Sequence, residues 1–195
     1  MYHRDLGIKK DYIFGSIRSK RLAQFYALEK FPIFVETGTC LGDGVSWALG
    51  AGFSSMYSME ADRLLYGQCV SRFKDCTKVT LYHGLSSRCL ADILDVVQGP
   101  LFIYLDAHWS GGSTSDSDPI PLIEETHALL NYKDIKKCII VIDDERLMSG
   151  LVDPPSSWGG QIKLDLLSIW HSAGFTSTYL DDSIIFEGKH EKDNE

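Results

Sequence analysis

Residues 31–44 read Phe31-Pro32-Ile33-Phe34-Val35-Glu36-Thr37-Gly38-Thr39-Cys40-Leu41-Gly42-Asp43-Gly44. The first half, Phe31 to Glu36, is short, nearly all apolar and β-branched at Ile33 and Val35, which predicts a buried strand. Glycines 38, 42 and 44 stop it. Asp43 is placed to cap a helix from Gly44 to Leu49, and Gly50 and Gly52 end that helix.

The same strand, turn and helix recur outward from this stretch. Upstream, Ser19 is placed to cap a helix running to Lys30, with Leu22, Phe25 and Tyr26 at helical spacing. Downstream, strands are expected at Ser55 to Met59, Lys78 to Tyr82, Leu101 to Leu105 and Cys138 to Ile142. Helices are expected at Arg63 to Phe73, Ser87 to Val97, Ile120 to Leu130 and from Gly160 to Ala173. Two last strands, Phe175 to Tyr179 and Ser183 to Phe186, flank the turn Leu180-Asp181-Asp182. Parallel strands need crossovers, so the alternation predicts a doubly wound α/β fold: a mostly parallel, seven-stranded sheet with a C-terminal hairpin supplying an antiparallel edge strand. The expected organisation is an N-terminal helical extension (1–30), one α/β domain (31–188) and a charged tail (189–195).

Composition narrows the function classes. The longest purely apolar run, Cys138 to Ile142, is far short of the roughly 20 residues of a membrane helix. The start mixes charges and has no apolar signal core, so a cytoplasmic protein is expected. Nineteen basic against 27 acidic residues give a net charge of −8, a surface that repels nucleic-acid phosphates. The five cysteines include no CxxC pair, and the expectation is neither a zinc site nor a disulfide scaffold.

In open α/β sheets ligands bind at the carboxyl ends of the strands. The loop after the first strand is GxxxGxG, which is neither the GxGxxG of a dinucleotide site nor a P-loop. The second strand ends at Glu60, 24 residues after Glu36, where a carboxylate is placed to accept hydrogen bonds from two ribose hydroxyls. An adenosine-containing ligand without a pyrophosphate suits this pair. The plainer reading makes the glycines a tight turn and Glu60 a solvated acid.

Glu36-x-Gly38-x-x-x-Gly42, with Glu60 beyond it, resembles the first motif and ribose-binding acid of the class I S-adenosylmethionine-dependent methyltransferases. The resemblance spans about Phe31 to Phe186, hairpin included. It implies a Rossmann-like methyltransferase fold, S-adenosylmethionine as cofactor, and cofactor contacts from Glu36, Thr37, Gly38, Gly42, Glu60, Ala61 and Asp106. Many members place an acid near the adenine after the third strand. This chain has His83-Gly84-Leu85-Ser86-Ser87 there, so adenine contacts fall to Ser86, Ser87 or backbone.

The fourth strand ends in Asp106-Ala107-His108-Trp109 and the fifth in Asp143-Asp144-Glu145. Carboxylates converging on one rim repel one another unless protons or a cation intervene. Oxygen-only ligands favour a hard ion, so Asp106, Asp143 and Asp144 are candidate ligands for Mg²⁺ or Ca²⁺, with His108 as the base beside it. Metal coordination lowers the pKa of an acceptor hydroxyl, and a neighbouring histidine can take its proton. This arrangement resembles the magnesium-dependent sugar O-methyltransferases that tailor macrolide and aminocoumarin antibiotics, although their Asp-Gly-Asp-like segment is Asp-Ala-His here. The implied acceptor is a sugar or polyol hydroxyl. Alternatively, Asp106 binds cofactor or orders its loop, and Asp143-Asp144 cap the next segment. Trp109 and Trp158 are pocket walls or core, and Cys40 is read as packing.

Three other readings compete. A catalytically silent module would bind cofactor without turnover. A two-metal hydrolase of the arginase or deacetylase type would use Asp-Ala-His with Ser115-Asp116-Ser117-Asp118-Pro119, but it leaves the glycine loop unexplained. A nicotinamide oxidoreductase is weakened by the glycine spacing. With no room for a separate substrate domain, acceptor choice falls to the segments Ser110–Pro119 and Glu145–Gly160, or to a second subunit of a homo-oligomer.

Overall fold

The structure, a computed structural model, describes residues 17, 21–107, 120–148 and 158–188. Seven strands form one sheet: β1 (Ile33–Thr37), β2 (Ser55–Glu60), β3 (Val79–His83), β4 (Leu101–Leu105), β5 (Ile139–Ile142), β6 (Phe175–Leu180) and β7 (Ser183–Gly188), in the spatial order β3-β2-β1-β4-β5-β7-β6. The pairs among β1 to β5 are parallel; β7 runs antiparallel to both β5 and β6. The helices are α1 (Leu22–Phe25), α2 (Asp43–Ala51), α3 (Arg63–Phe73), α4 (Ser86–Val96), α5 (Leu122–Leu130), α6 (Glu145–Met148) and α7 (Gly160–Ser172).

β4 and β5 lie mid-sheet with every residue buried, as a parallel sheet covered on both faces requires. One face carries Val35, Ile103, Leu105, Ile140 and Ile142, packed under Leu90 and Ile93 of α4, Leu129 of α5 and Trp170 of α7. The other carries Phe34, Met56, Phe102, Tyr104 and Val141, covered by Ala48 of α2 and by Ile17, Leu22, Leu28 and Phe31. Phe34, Phe53 and Phe102 form an aromatic cluster there, with ring centroids 5.4–6.2 Å apart. No helix among the described residues is long and apolar enough to cross a membrane.

Three expectations need correction. The N-terminal helix is a single turn, α1, because Tyr26 is extended and Leu28–Lys30 form a separate 3₁₀ turn. Leu22 and Leu28 both bury on one sheet face but would lie about 120° apart on a continuous helix. Asp43 is not the cap of α2: Gly42 is, in the left-handed conformation, and Asp43 sits in the first turn paired with Arg72. Gly50 lies inside α2, which ends at Gly52. The expected hairpin is present: its edge strand β6 pairs antiparallel with β7, which lies inside the sheet and is antiparallel to β5 as well. Burial explains the order: Ile184, Ile185 and Phe186 are covered on both sides, while β6 alternates polar and exposed. The hairpin turns on Asp181 and Asp182, both at positive φ (46° and 65°), as a two-residue type I′ turn demands. Ser19, His108, Trp109, the segment 110–119 and the tail from 189 lie outside the described residues.

Candidate active site

The glycine loop is pinned to the end of β2. The N–H groups of Gly38 and Thr39 both donate to the Met59 carbonyl at 3.0 Å, and Gly42 N–H donates to the Thr39 carbonyl at 2.7 Å. Gly38 has φ +80°, and a Cβ there would lie 2.6 Å from the Asp106 carbonyl oxygen. Only glycine fits this crossing of β1 and β4. Cys40 adopts φ 48° without being glycine, a conformation that needs outside support. That support is Glu60, whose Oε2 accepts the Cys40 N–H at 2.7 Å. The Cys40 residue is exposed, so the expectation that it packs is wrong; Cys69, fully buried, packs beneath it and donates its thiol to the Cys40 carbonyl at 3.1 Å.

Strand alternation sets Glu36, Ser58 and Glu60 on the face of Phe34 and Met56, with Glu36 opposite Ser58 in register. Glu60 is buried beside half-buried Ala61, and its other oxygen accepts the Asp62 N–H at 2.8 Å. Two backbone donors thus fix the carboxylate, and each oxygen keeps a second lone pair for a ligand hydroxyl. Glu36 is buried, accepts the Ser58 hydroxyl at 2.7 Å, and Ser58 meets the Thr39 hydroxyl at 2.6 Å. Burial pushes Glu36 up to about 8; the Glu60 and Asp43 charges add to the rise and Ser58 opposes it.

Thr37 faces the opposite way. Its hydroxyl oxygen accepts the N–H groups of Asp106 (3.2 Å) and Ala107 (3.3 Å), fixing where β4 leaves the sheet. Ser86, buried, and Ser87, half-buried, open α4. Between Thr37 and Ser86 lies a residue absent from the sequence-derived set. Glu125 of α5 is fully buried. Burial pushes it up to about 7, and the nearby Ser86 and Thr37 hydroxyls draw it partly back.

Two carboxyls raised above the ordinary 4.5 make a stability prediction. The unfolded chain releases these protons near 4.5, while the folded state holds them to about 8 and about 7. Between those limits the folded state binds more protons, so stability is greatest below the window and declines as pH rises through it. Each group contributes up to about 1.4 kcal/mol per pH unit. The urea midpoint of the ligand-free protein should fall from pH 5 to pH 8, less steeply in Glu36→Gln. A midpoint that climbs over this range contradicts the assignment.

The acids after β5 form a second cluster. Oxygens of Asp143, Asp144 and Asp182 lie within 4.8 Å of one another, the sole such group of three among the described residues. Asp106 is not part of it, so the structure unites two of the three expected metal ligands and replaces the third with an acid from the hairpin turn. Asp143 accepts the Tyr104 hydroxyl and, at 2.7 Å, the Asp144 N–H. Burial and the Asp143 and Asp106 charges hold Tyr104 protonated well above its ordinary range. Arg146 bridges Asp144 and Asp182. At the start of α6, Asp182 Oδ1 accepts the Arg146 N–H at 2.9 Å, and its carbonyl accepts that of Glu145. The set is oxygen-only and suits a hard cation, but Arg146 already shares those lone pairs. Trp158 is half-buried against the α4–α7 core, and His108 lies outside the described residues.

No protein-family model matches the chain, and no curated protein matches it in sequence. Solved structures do match in fold. A candidate O-methyltransferase from Klebsiella pneumoniae superposes with a TM-score of 0.63 at 15% identity, over 92% of this chain and 83% of that one. Human methyltransferase-like protein 13 in complex with SAH gives 0.58 at 14%, over 85% and 75%. The O-methyltransferase from Bacillus cereus in complex with SAH gives 0.56 at 16%, over 90% and 81%. The fold is the Rossmann-like methyltransferase fold with its antiparallel C-terminal hairpin.

Proposed function

We propose that this chain is an S-adenosylmethionine-dependent methyltransferase acting on a hydroxyl of a polar small molecule, a sugar or polyol. The observation that carries the reading is the buried Glu60 carboxylate, held by the N–H groups of Cys40 and Asp62 beside the glycine loop. That donor set fits the cofactor: a fixed anionic acceptor for a ribose diol, next to the glycine loop. S-adenosylmethionine, when bound, supplies a sulfonium methyl that is already electrophilic. Glu60 then binds the ribose hydroxyls, Gly38 to Gly42 admit the ligand to the backbone, and Ser86 and Ser87 flank the adenine. Asp106 stands at the rim on the acceptor side. Orientation for in-line attack is the main task left to the protein.

The acceptor must lose a proton, and His108, two residues past Asp106 in sequence, is our candidate base; turnover unchanged in His108→Ala would remove it. The metal-assisted form of the reaction is favoured by the Asp143, Asp144 and Asp182 cluster and requires Arg146 to yield its place. The experiment is a thermal-shift series with S-adenosylhomocysteine, NAD and ADP, each with and without Mg²⁺. A ligand at 100 times its Kd stabilises the folded state by about 2.7 kcal/mol, a shift of several degrees. S-adenosylhomocysteine should give that shift. A shift with NAD and none with S-adenosylhomocysteine overturns the reading, and activity that survives EDTA undiminished removes the metal from it.

A further inference from the structure

Three side chains of α3 hold the glycine loop. Cys69, Arg72 and Phe73 stand at i, i+3 and i+4 and so share one face of the helix. The Cys69 thiol donates to the Cys40 carbonyl at 3.1 Å, and the Arg72 guanidinium donates to the next carbonyl, that of Leu41. The same guanidinium reaches Asp43 at 3.1 Å and Ser46 at 2.7 Å, both in the first turn of α2. Phe73 lies against Gly42, where an added Cβ would be 2.5 Å from its ring. Arg72 thus spans the loop and the helix that follows it, which a planar five-donor fork can do and a single ammonium cannot. It is partly exposed, whereas Cys69 is fully buried under the loop.

We propose that Arg72 is a positioning residue: its guanidinium clamps the Cys40–Gly42 loop against α3 in the form that receives the cofactor, and without it the loop opens over Cys69. An exposed ion pair adds little to overall stability, so the opening is local. The apparent affinity of a ligand falls with the fraction of molecules in the binding-competent form. Arg72 touches no ligand; it sets the loop that does. The identity of the ligand rests on the methyltransferase reading, whereas the clamp belongs to the ligand-free chain.

Cys69 supplies the readout, because the loop covers it. The test is the rate of N-ethylmaleimide labelling at each cysteine, mapped by mass spectrometry, together with melting temperature and calorimetric titration of S-adenosylhomocysteine. All proteins carry Cys40→Ser, so that modification of the exposed thiol does not itself pry the loop open. Adding Arg72→Ala to this parent should label Cys69 about tenfold faster or more, the worth of one hydrogen bond to a charged group. Buried Cys89 and Cys138 should label as before, and melting should stay within about 2 °C of the parent. Affinity for S-adenosylhomocysteine should fall about threefold or more, and the ligand should in turn slow Cys69 labelling in the parent. Arg72→Lys keeps the charge but not the fork and should lie between. Burial pushes the Cys69 thiol up to about 11, Glu60 adds to the rise and the Arg72 charge opposes it. Losing that charge alone would therefore slow a reaction that needs the thiolate, so acceleration reports opening. Cys69 labelling at the parent rate in Arg72→Ala overturns the proposal, as does equal acceleration at Cys69, Cys89 and Cys138, the mark of general loosening. Faster labelling with unchanged affinity overturns it too, since loop order would then not matter to the ligand. No binding by the parent overturns the methyltransferase reading itself, while the labelling rates still decide the clamp.

Discussion

Glu60→Ala should weaken S-adenosylhomocysteine binding by about a hundredfold or more. Glu60 has two duties at once. Its oxygens hold the N–H groups of Cys40 and Asp62 at 2.7 and 2.8 Å, and their remaining lone pairs are the acceptors for a ribose diol. A hydrogen bond to a charged group contributes about 1.5–3 kcal/mol, so losing two to the ligand costs about 3–6 kcal/mol, and each 1.4 kcal/mol is a factor of ten in affinity. The second duty adds to the first. Cys40 is held at φ 48° by its bond to Glu60, and without that acceptor the loop relaxes away from the ligand-binding form. Glu60→Gln keeps the shape but turns one acceptor oxygen into a donor that meets a backbone N–H head-on, so an intermediate loss is expected. Isothermal titration on the three proteins decides it. Affinity for Glu60→Ala within threefold of the wild type would place the ribose elsewhere.

That Glu36, Gly38, Gly42 and Glu60 could be read together from sequence has a physical basis. Strand ends are marked by glycine and acid where an apolar run stops, and a parallel sheet carries all such ends to one rim. β4 and α3 fall at their expected bounds because each is a strong local pattern: five buried apolar residues, and a helix opened by the Asp62 side chain, which accepts the N–H groups of Leu64 and Leu65. What local pattern does not carry is partnership. The pairing of β7 with β5 depends on which hairpin strand is apolar on both faces, a cue present in Ile184-Ile185-Phe186 but legible only once the sheet has an inside. Asp182 joins Asp143 and Asp144 through the same hairpin, so no spacing along the chain announces it. Glu125 did leave a signal. Leu122, Glu125, Thr126 and Leu129 are all buried on α5 at positions i, i+3, i+4 and i+7, and an acid on an apolar stripe is a buried acid.

Gly44→Ala should be among the more damaging single methyls that can be added near the site. A Cβ at Gly44 would lie 1.6 Å from Oε1 and 2.7 Å from Cδ of Glu36. The Gly44 backbone is ordinary helix, so the cost is collision and not strain in φ. Glu36 cannot step aside cheaply. It is buried, it takes the Ser58 hydroxyl, and Ser58 is tied in turn to Thr39. Either the carboxyl leaves its site, or α2 lifts and uncovers Val45 and Ala48, both fully buried. Overpacking of this severity costs about 3 kcal/mol or more, a large share of a domain's stability. If the collision is the cause, shortening Glu36 should cure it. Glu36→Ala/Gly44→Ala should then be more stable than Gly44→Ala alone, with a coupling of about 2 kcal/mol in a urea-denaturation cycle. Additive losses would mean that the added methyl is absorbed by movement of α2, leaving the Glu36–Ser58–Thr39 chain intact. The glycine that the loop motif leaves outside its spacing would then be a helix residue like any other, whereas coupling makes it the wall against which the Glu36 carboxyl is set.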